Sequence, residues 1–198
     1  MDDKDFFDKI ADAWDENEVL STPEKVNEVL DYMDLKEKQE VLDLGTGTGI
    51  LLPYIAERIG EEGKITAVDF SEGMLSQAIK KYSSLTPTPV FTNLDFENDL
   101  IPDKYDRIIL YCVYPHLHTP IDTLKWLEKV NLKDDGIISI AFPSGPDFIN
   151  NIHKEKHSQS DLLPPAGKLT EFFIRNGLNA IVAAESNDCF VVNIKKNC

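Results

Sequence analysis

The sequence predicts an α/β fold, a doubly wound and mostly parallel sheet preceded by a helical segment. Three observations carry this expectation. A short apolar strand, Val41–Leu44, breaks into a glycine-spaced turn and runs on as a helix. Behind it, β-rich runs alternate with stretches whose apolar residues recur at helical spacing, the pattern of strands joined by crossover helices. Near the end, two strand-like runs flank Glu185-Ser186-Asn187-Asp188, which reads as a hairpin turn.

Each element follows in order. Residues 1–38 hold two helical patterns. Phe6, Phe7, Ile10, Ala11 and Trp14 share one apolar face. Ser21-Thr22-Pro23-Glu24 reads as a helix start with proline in the first turn, and Val26, Val29, Leu30 and Met33 form the buried stripe of that second helix. Val41–Leu44 is the first strand, Ile50–Ile59 the next helix and Gly60–Gly63 a turn. Lys64–Asp69 is a run of β-formers ending in a carboxylate, and Ser71 caps the helix that begins at Glu72. Ser83–Pro89 is a polar connection to a short third strand, Pro89–Phe96 with its end loop. Ile108–Val113 is wholly apolar, as suits a central parallel strand covered on both faces. Ile121–Val130 is a helix, Lys133-Asp134-Asp135-Gly136 a turn and Gly136–Phe142 the fifth strand. Pro143–Pro165 breaks the pattern and reads as an inserted cap with a short helix near 147–157. Lys168–Asn176 is the last helix, stopped by Gly177, before the closing strands Leu178–Ala184 and Cys189–Lys195. The expected organisation is one domain over 1–198: a helical lid (1–38), a cofactor-binding core (40–142), the cap (143–168), and the last helix with the hairpin (169–198).

Composition narrows the partners. The 198 residues carry 20 Lys and Arg against 35 Asp and Glu, a formal net charge of −15. Phosphate backbones are bound through cations, so nucleic acid and anionic membrane surfaces are disfavoured, leaving a small molecule as the expected partner. No stretch approaches the ~20 apolar residues of a membrane span. The acidic start, Met1-Asp2-Asp3-Lys4-Asp5, lacks a signal-peptide core. Cys112, Cys189 and Cys198 form an odd, scattered set, which argues for a reducing, cytoplasmic setting, with Cys198 expected as an exposed thiol.

The candidate site begins at Gly45-Thr46-Gly47-Thr48-Gly49. Residues without Cβ let the backbone turn sharply and let a ligand lie against it, so a strand–glycine turn–helix unit is a nucleotide-type site. The dinucleotide fingerprint needs a third glycine where Ile50 stands, and a P-loop needs a Lys-Ser or Lys-Thr pair that is missing here. Asp69 follows about 20 residues on, where a carboxylate at a strand end can accept both ribose hydroxyls of an adenosine. Its competing role is to cap the next helix, which Ser71 fills better.

With its acidic residue inside the strand, Val41–Gly49 resembles motif I of class I S-adenosylmethionine-dependent methyltransferases, and Ala67–Leu75 resembles the family's second motif. In build the chain is similar to the small-molecule methyltransferases of ubiquinone and menaquinone biosynthesis. The resemblance spans nearly all of residues 40–196. It implies a Rossmann-like, seven-stranded sheet with an antiparallel last strand, and S-adenosylmethionine as cofactor. The cofactor would lie on Asp43, Gly45, Thr46, Gly47 and Gly49, with its ribose on Asp69. Phe70 and Met74 would pack on adenine, although both could equally be core. Asp95 would take the adenine amino group and Phe96 cover the ring, with a plain loop role for Asp95 as the alternative. Backbone carbonyls at Tyr111 and Cys112 would hold the cofactor's amino group. Phe6-Phe7-x-x-x-Ala11-x-x-Trp14 resembles the family's N-terminal lid, in which Phe7 and Trp14 would close over the ligand.

A base is needed only if the methyl acceptor is protonated at neutral pH. The four histidines are His116, His118, His153 and His157. His116 or His153 could serve as general base, the set could chelate a transition metal, or all could be ordinary loop residues. The candidate catalytic residues are His116 and His153, with no metal ligand assigned. Cys112 is read as core rather than nucleophile, since nothing near it supplies an activating base. The expected activity is methyl transfer to a small-molecule acceptor. The alternatives are a nicotinamide-dependent oxidoreductase, which shares the turn and Asp69, and a non-catalytic module that holds the cofactor.

Overall fold

The computed structural model describes residues 3–17, 21–156 and 162–197. The N-terminal segment is a helix, α1 (Asp3–Ile10), a 3₁₀ turn (Ala11–Ala13) and a short helix, α2 (Trp14–Asn17). Helix α3 (Pro23–Asp31) starts where the sequence places it. Thr22 turns its side chain onto the Lys25 N–H, and Pro23 occupies the first turn, where no intrahelical N–H is required. The Arg107 guanidinium closes its far end by donating to the carbonyls of Met33 (2.9 Å) and Asp34 (2.8 Å).

The core alternates as expected: β1 (Glu40–Leu44), α4 (Leu52–Ile59), β2 (Lys64–Asp69), α5 (Glu72–Tyr82), β3 (Val90–Asn93), β4 (Tyr105–Tyr111), α6 (Pro120–Trp126, continued by a π-type turn to Asn131) and β5 (Leu132–Phe142). Then follow α7 (Pro146–Lys156), α8 (Ala166–Arg175), β6 (Asn179–Glu185) and β7 (Phe190–Lys195). The seven strands order as β3-β2-β1-β4-β5-β7-β6. Pairing is parallel throughout except at β7, which runs antiparallel to both β5 and β6. This is the expected Rossmann-like sheet with its antiparallel last strand.

Strand β4 sits at the centre, and Ile108, Ile109 and Leu110 are fully buried because helices cover both faces. Side chains alternate along each strand. Ile108 and Leu110 join a core built with α6 and α8, whereas Ile109 joins one built with α3 and α4. The strand order reverses between β1 and β4, and the crevice beyond the carboxyl ends of strands at such a switch point is where open α/β sheets bind ligands.

Three local expectations change. Lys133–Gly136, read as a turn, lies inside β5. Leu132 pairs with Tyr105 and Ile137 with Arg107, so four residues bulge between consecutive pairs. Lys133 holds this bulge by pairing with Asp106 (2.8 Å) and Glu40 (2.9 Å). Helix α4 begins at Leu52, since Thr48–Leu51 are spent on the turn out of β1. Strand β3 stops at Asn93, because Asp95 caps its own loop, accepting from the N–H of Glu97 (3.1 Å) and from Asn98 Nδ2 (2.7 Å). No helix among the described residues is long and apolar enough to cross a membrane.

Candidate active site

The crevice is built on the turn that leaves β1. Gly45, Gly47 and Gly49 have φ of +68°, +56° and +85°, in the left-handed region that disfavours other residues. Their surroundings differ. A Cβ on Gly45 would stand 2.5 Å from Val113 Cγ2, and one on Gly49 would stand 2.8 Å from the Tyr82 ring. A Cβ on Gly47 would meet nothing within 4 Å. Gly45 and Gly49 are therefore glycines for packing, whereas Gly47 faces open space where a ligand can lie against the backbone.

Two buried carboxylates face each other across the turn. Asp43, on β1, is 2% exposed and accepts the Thr46 hydroxyl at 2.7 Å. Burial pushes its carboxyl up to about 7, and the nearby Asp69 adds to the rise. Asp69 ends β2 and is 4% exposed. It accepts the N–H of Gly47 at 2.7 Å and of Ser71 at 2.9 Å. Burial raises it to about 6, and those two N–H groups pull it back. A carboxylate has about four lone-pair positions, so the two N–H bonds fix Asp69 and leave acceptor capacity for a diol. Ser71 caps α5, as expected, by accepting the Met74 N–H at 3.1 Å.

The other candidates divide. Phe70, Phe7 and His116 come together: the Phe7 ring lies 5.9 Å from Phe70, 5.7 Å from His116 and 5.8 Å from Trp14, all edge-on. Tyr111 is buried and its hydroxyl pairs with Ser21 at 2.9 Å. Cys112 has φ +59°, so the chain turns sharply where β4 ends, and its N–H donates to the Ala141 carbonyl. Met74 is buried on α5, and Phe96 packs against the core that holds Leu110 and Val68. Asp95 is exposed, with its carboxylate turned onto its own loop as described above. The histidines separate. His118 is exposed and pairs with Glu97, away from the Phe7 contact of His116. His153 lies on α7, but its side chain, like all of His157 and Cys198, falls outside the described residues.

Sequence reasoning missed four residues here. Glu97 gathers the N–H of His118 (3.0 Å) and of Thr119 (2.9 Å) and the Thr123 hydroxyl (3.2 Å), and thereby caps α6. Those backbone N–H groups hold its carboxyl below the usual range against its burial. No sequence signal marks it. Asp8 accepts the Ser71 hydroxyl (2.6 Å) and the Gly73 N–H (2.9 Å), and Asp15 accepts the Thr48 hydroxyl (2.7 Å). With Asp12 these form an i, i+4, i+7 acidic stripe, a signal that was present in the sequence.

Known proteins resemble this chain in sequence and in fold. Residues 41–136 match the family model described as a methyltransferase domain. The chain is 30% identical over 117 residues to the malonyl-[acyl-carrier protein] O-methyltransferase of Acetivibrio thermocellus, covering 58% of this chain and 40% of that protein. It is 38% identical over 85 residues to the demethylmenaquinone methyltransferase of Bacillus cereus, covering 41% of this chain and 36% of that protein. It therefore spans about two fifths of the length of these curated relatives. Among solved structures it is similar to a SAM-dependent methyltransferase from Aquifex aeolicus, with a TM-score of 0.71 at 24% identity over 90% of this chain and 95% of that one. Over residues 41–136 the chain is therefore similar to methyltransferase domains, and its sheet has the fold of a SAM-dependent methyltransferase.

Proposed function

We propose that the protein binds S-adenosylmethionine at the Gly45–Gly49 turn and transfers its methyl group to a small-molecule acceptor in the cytoplasm. The observation that carries this reading is Asp69, a buried carboxylate held by the Gly47 and Ser71 N–H groups beside a backbone turn that is open to a ligand. When bound, the cofactor supplies an activated methyl group on a sulfonium centre.

The chain's own residues do the rest. Asp69 accepts the ribose hydroxyls, and the open face of Gly47 takes the methionine portion. Asp43 is buried behind the turn with its carboxyl raised to about 7, and a cationic ligand nearby would draw it back to the ionised form. Phe70 and Phe7 enclose the adenosine side, with Trp14 behind Phe7. Met74, Phe96 and the backbone at Tyr111 and Cys112 complete the cofactor's surroundings. Asp95 would have to release its loop bonds to reach the adenine amino group. His116, packed on Phe7 at the mouth, takes the acceptor's proton where one must leave. His153 on α7 is the second candidate for that role. The acceptor sits between α1, the 114–119 segment and α7. Excluding water there strengthens the field of the buried carboxylates and keeps the reacting atoms aligned.

The test is transfer of isotope-labelled methyl from S-adenosylmethionine to a panel of phenols, thiols, amines and carboxylates. A labelled product, together with His116→Ala lowering kcat at least tenfold at unchanged cofactor affinity, is the expected result. Equal turnover in His116→Ala and parent would remove His116 as the base. Cofactor binding with no transfer to any acceptor would favour a non-catalytic binding module.

A further inference from the structure

The N-terminal segment meets α5 in register. Asp8, Asp12 and Asp15 lie on one face of residues 3–17, and their partners Gly73, Gln77 and Lys81 lie at four-residue spacing along α5. Asp8 takes the Gly73 N–H and the Ser71 hydroxyl, placing a carboxylate at the helix N-terminus, where the dipole favours it. Asp12 accepts from Gln77, and Asp15 pairs with Lys81. Gly73 makes the approach possible. A Cβ there would stand 3.0 Å from the Asp8 carbonyl oxygen, 3.1 Å from Asp8 Cα and 3.2 Å from Ala11 Cβ. Ala11, which fills that space, is 4% exposed.

The same contacts run into the cofactor crevice at both ends. Ser71, whose hydroxyl is held by Asp8, gives its N–H to Asp69, and Asp69 in turn holds the Gly47 N–H. At the other end, Asp15 holds the hydroxyl of Thr48 within the glycine turn. Phe7, next to the first of these anchors in the chain, lies against Phe70 and His116.

We propose that residues 3–17 form a clasp seated on α5, and that Asp8 is a positioning residue that couples closure of the clasp to cofactor binding through Ser71 and Asp69. This rests on the cofactor reading given above. Coupling of this kind is reciprocal: a bound cofactor tightens the clasp, and an unseated clasp weakens the cofactor.

The experiment uses Trp14 as reporter in a Trp126→Phe background, with S-adenosylhomocysteine as ligand. Asp8→Ala and Gly73→Leu are expected to shift Trp14 emission to the red without ligand. Both are expected to speed S-adenosylhomocysteine dissociation about tenfold, within the usual range of coupling between sites. Asp8→Asn keeps an acceptor for Ser71 and Gly73 and recovers most of the parent behaviour. Gly73→Leu puts a better helix former into α5, so its melting temperature holds while the clasp opens; a merely structural contact would lose both together. Parent-like Trp14 emission in both variants would overturn the clasp. A released Trp14 with unchanged ligand dissociation would overturn the coupling. A parent protein that binds no S-adenosylhomocysteine would overturn the cofactor reading and the coupling with it, while Trp14 emission still reports whether the segment docks.

Discussion

Asp43 and Asp69 are buried, with the Thr46 hydroxyl and the Gly47 and Ser71 N–H groups as hydrogen-bond partners, and that sets how the site responds to pH. Both carboxyls are raised in the folded protein, to about 7 and about 6. Folding therefore holds their protons more tightly than the unfolded chain does. Their contribution to stability is complete below the ordinary carboxylate range and is lost as pH rises through 6 and 7. Asp8 acts in the opposite sense: its bonds from Lys4, Ser71 and Gly73 lower it to about 2, so its contribution is lost only in strong acid. Between about pH 4 and about pH 7.5 the buried pair dominates, and the melting temperature of the ligand-free protein is expected to fall across that range. The proposed ribose role of Asp69 requires its ionised form, so it predicts that cofactor affinity rises over the same range. Calorimetry and thermal melts at several pH values check both; a melting temperature that climbs from pH 5 to 7.5 would contradict the assignment. The glycines make a second test. Gly47→Ala forces a side chain to a positive φ but into empty space, so it should cost about 1–2 kcal/mol of stability and abolish ligand binding. Gly45→Ala meets Val113 as well and should cost about 2–4 kcal/mol, read by chemical denaturation.

The elements divide by how they announce themselves in the sequence. Apolar runs such as Ile108–Leu110 predicted buried strands because a strand covered on both faces has no polar side to show. Caps at Thr22 and Ser71 were legible because their signals are local. The bulge at Lys133–Gly136 was not. Its polar residues look like a turn, and what holds them is an ammonium bridging Asp106 and Glu40 from two other strands. For Asp95 the sequence left two roles open, adenine ligand and loop residue, and in the structure its carboxylate accepts from donors on its own loop. Glu97 carries no pattern, because its partners lie more than 20 residues away. Glu97→Ala removes the cap of α6 and should cost about 1–2 kcal/mol, measured as a drop in unfolding midpoint. Its lowered carboxyl adds a sign: this loss should shrink as the pH falls through the carboxylate range.

At the scale of the molecule, the strand order places the glycine turn, Asp69 and the end of β4 at one edge of the sheet, and the helical N-terminal segment lies against it. The glycine turn and Asp69 were legible because spacing alone locates them. How the acidic stripe pairs with α5 was not, because it depends on which way two distant helices face. The net charge of −15 gives a further consequence. S-adenosylmethionine carries one more positive charge than its demethylated product, so its affinity should fall more steeply with salt, from about 50 to about 500 mM. The central claim is that Asp69 and the open turn at Gly47 hold S-adenosylmethionine. Calorimetric titration of parent and Asp69→Ala with S-adenosylmethionine, S-adenosylhomocysteine and NAD tests it most directly. The account predicts that the parent binds the first two and not NAD, and that Asp69→Ala loses about 1–3 kcal/mol of that affinity. Binding of NAD alone, or equal affinities in parent and Asp69→Ala, would contradict it.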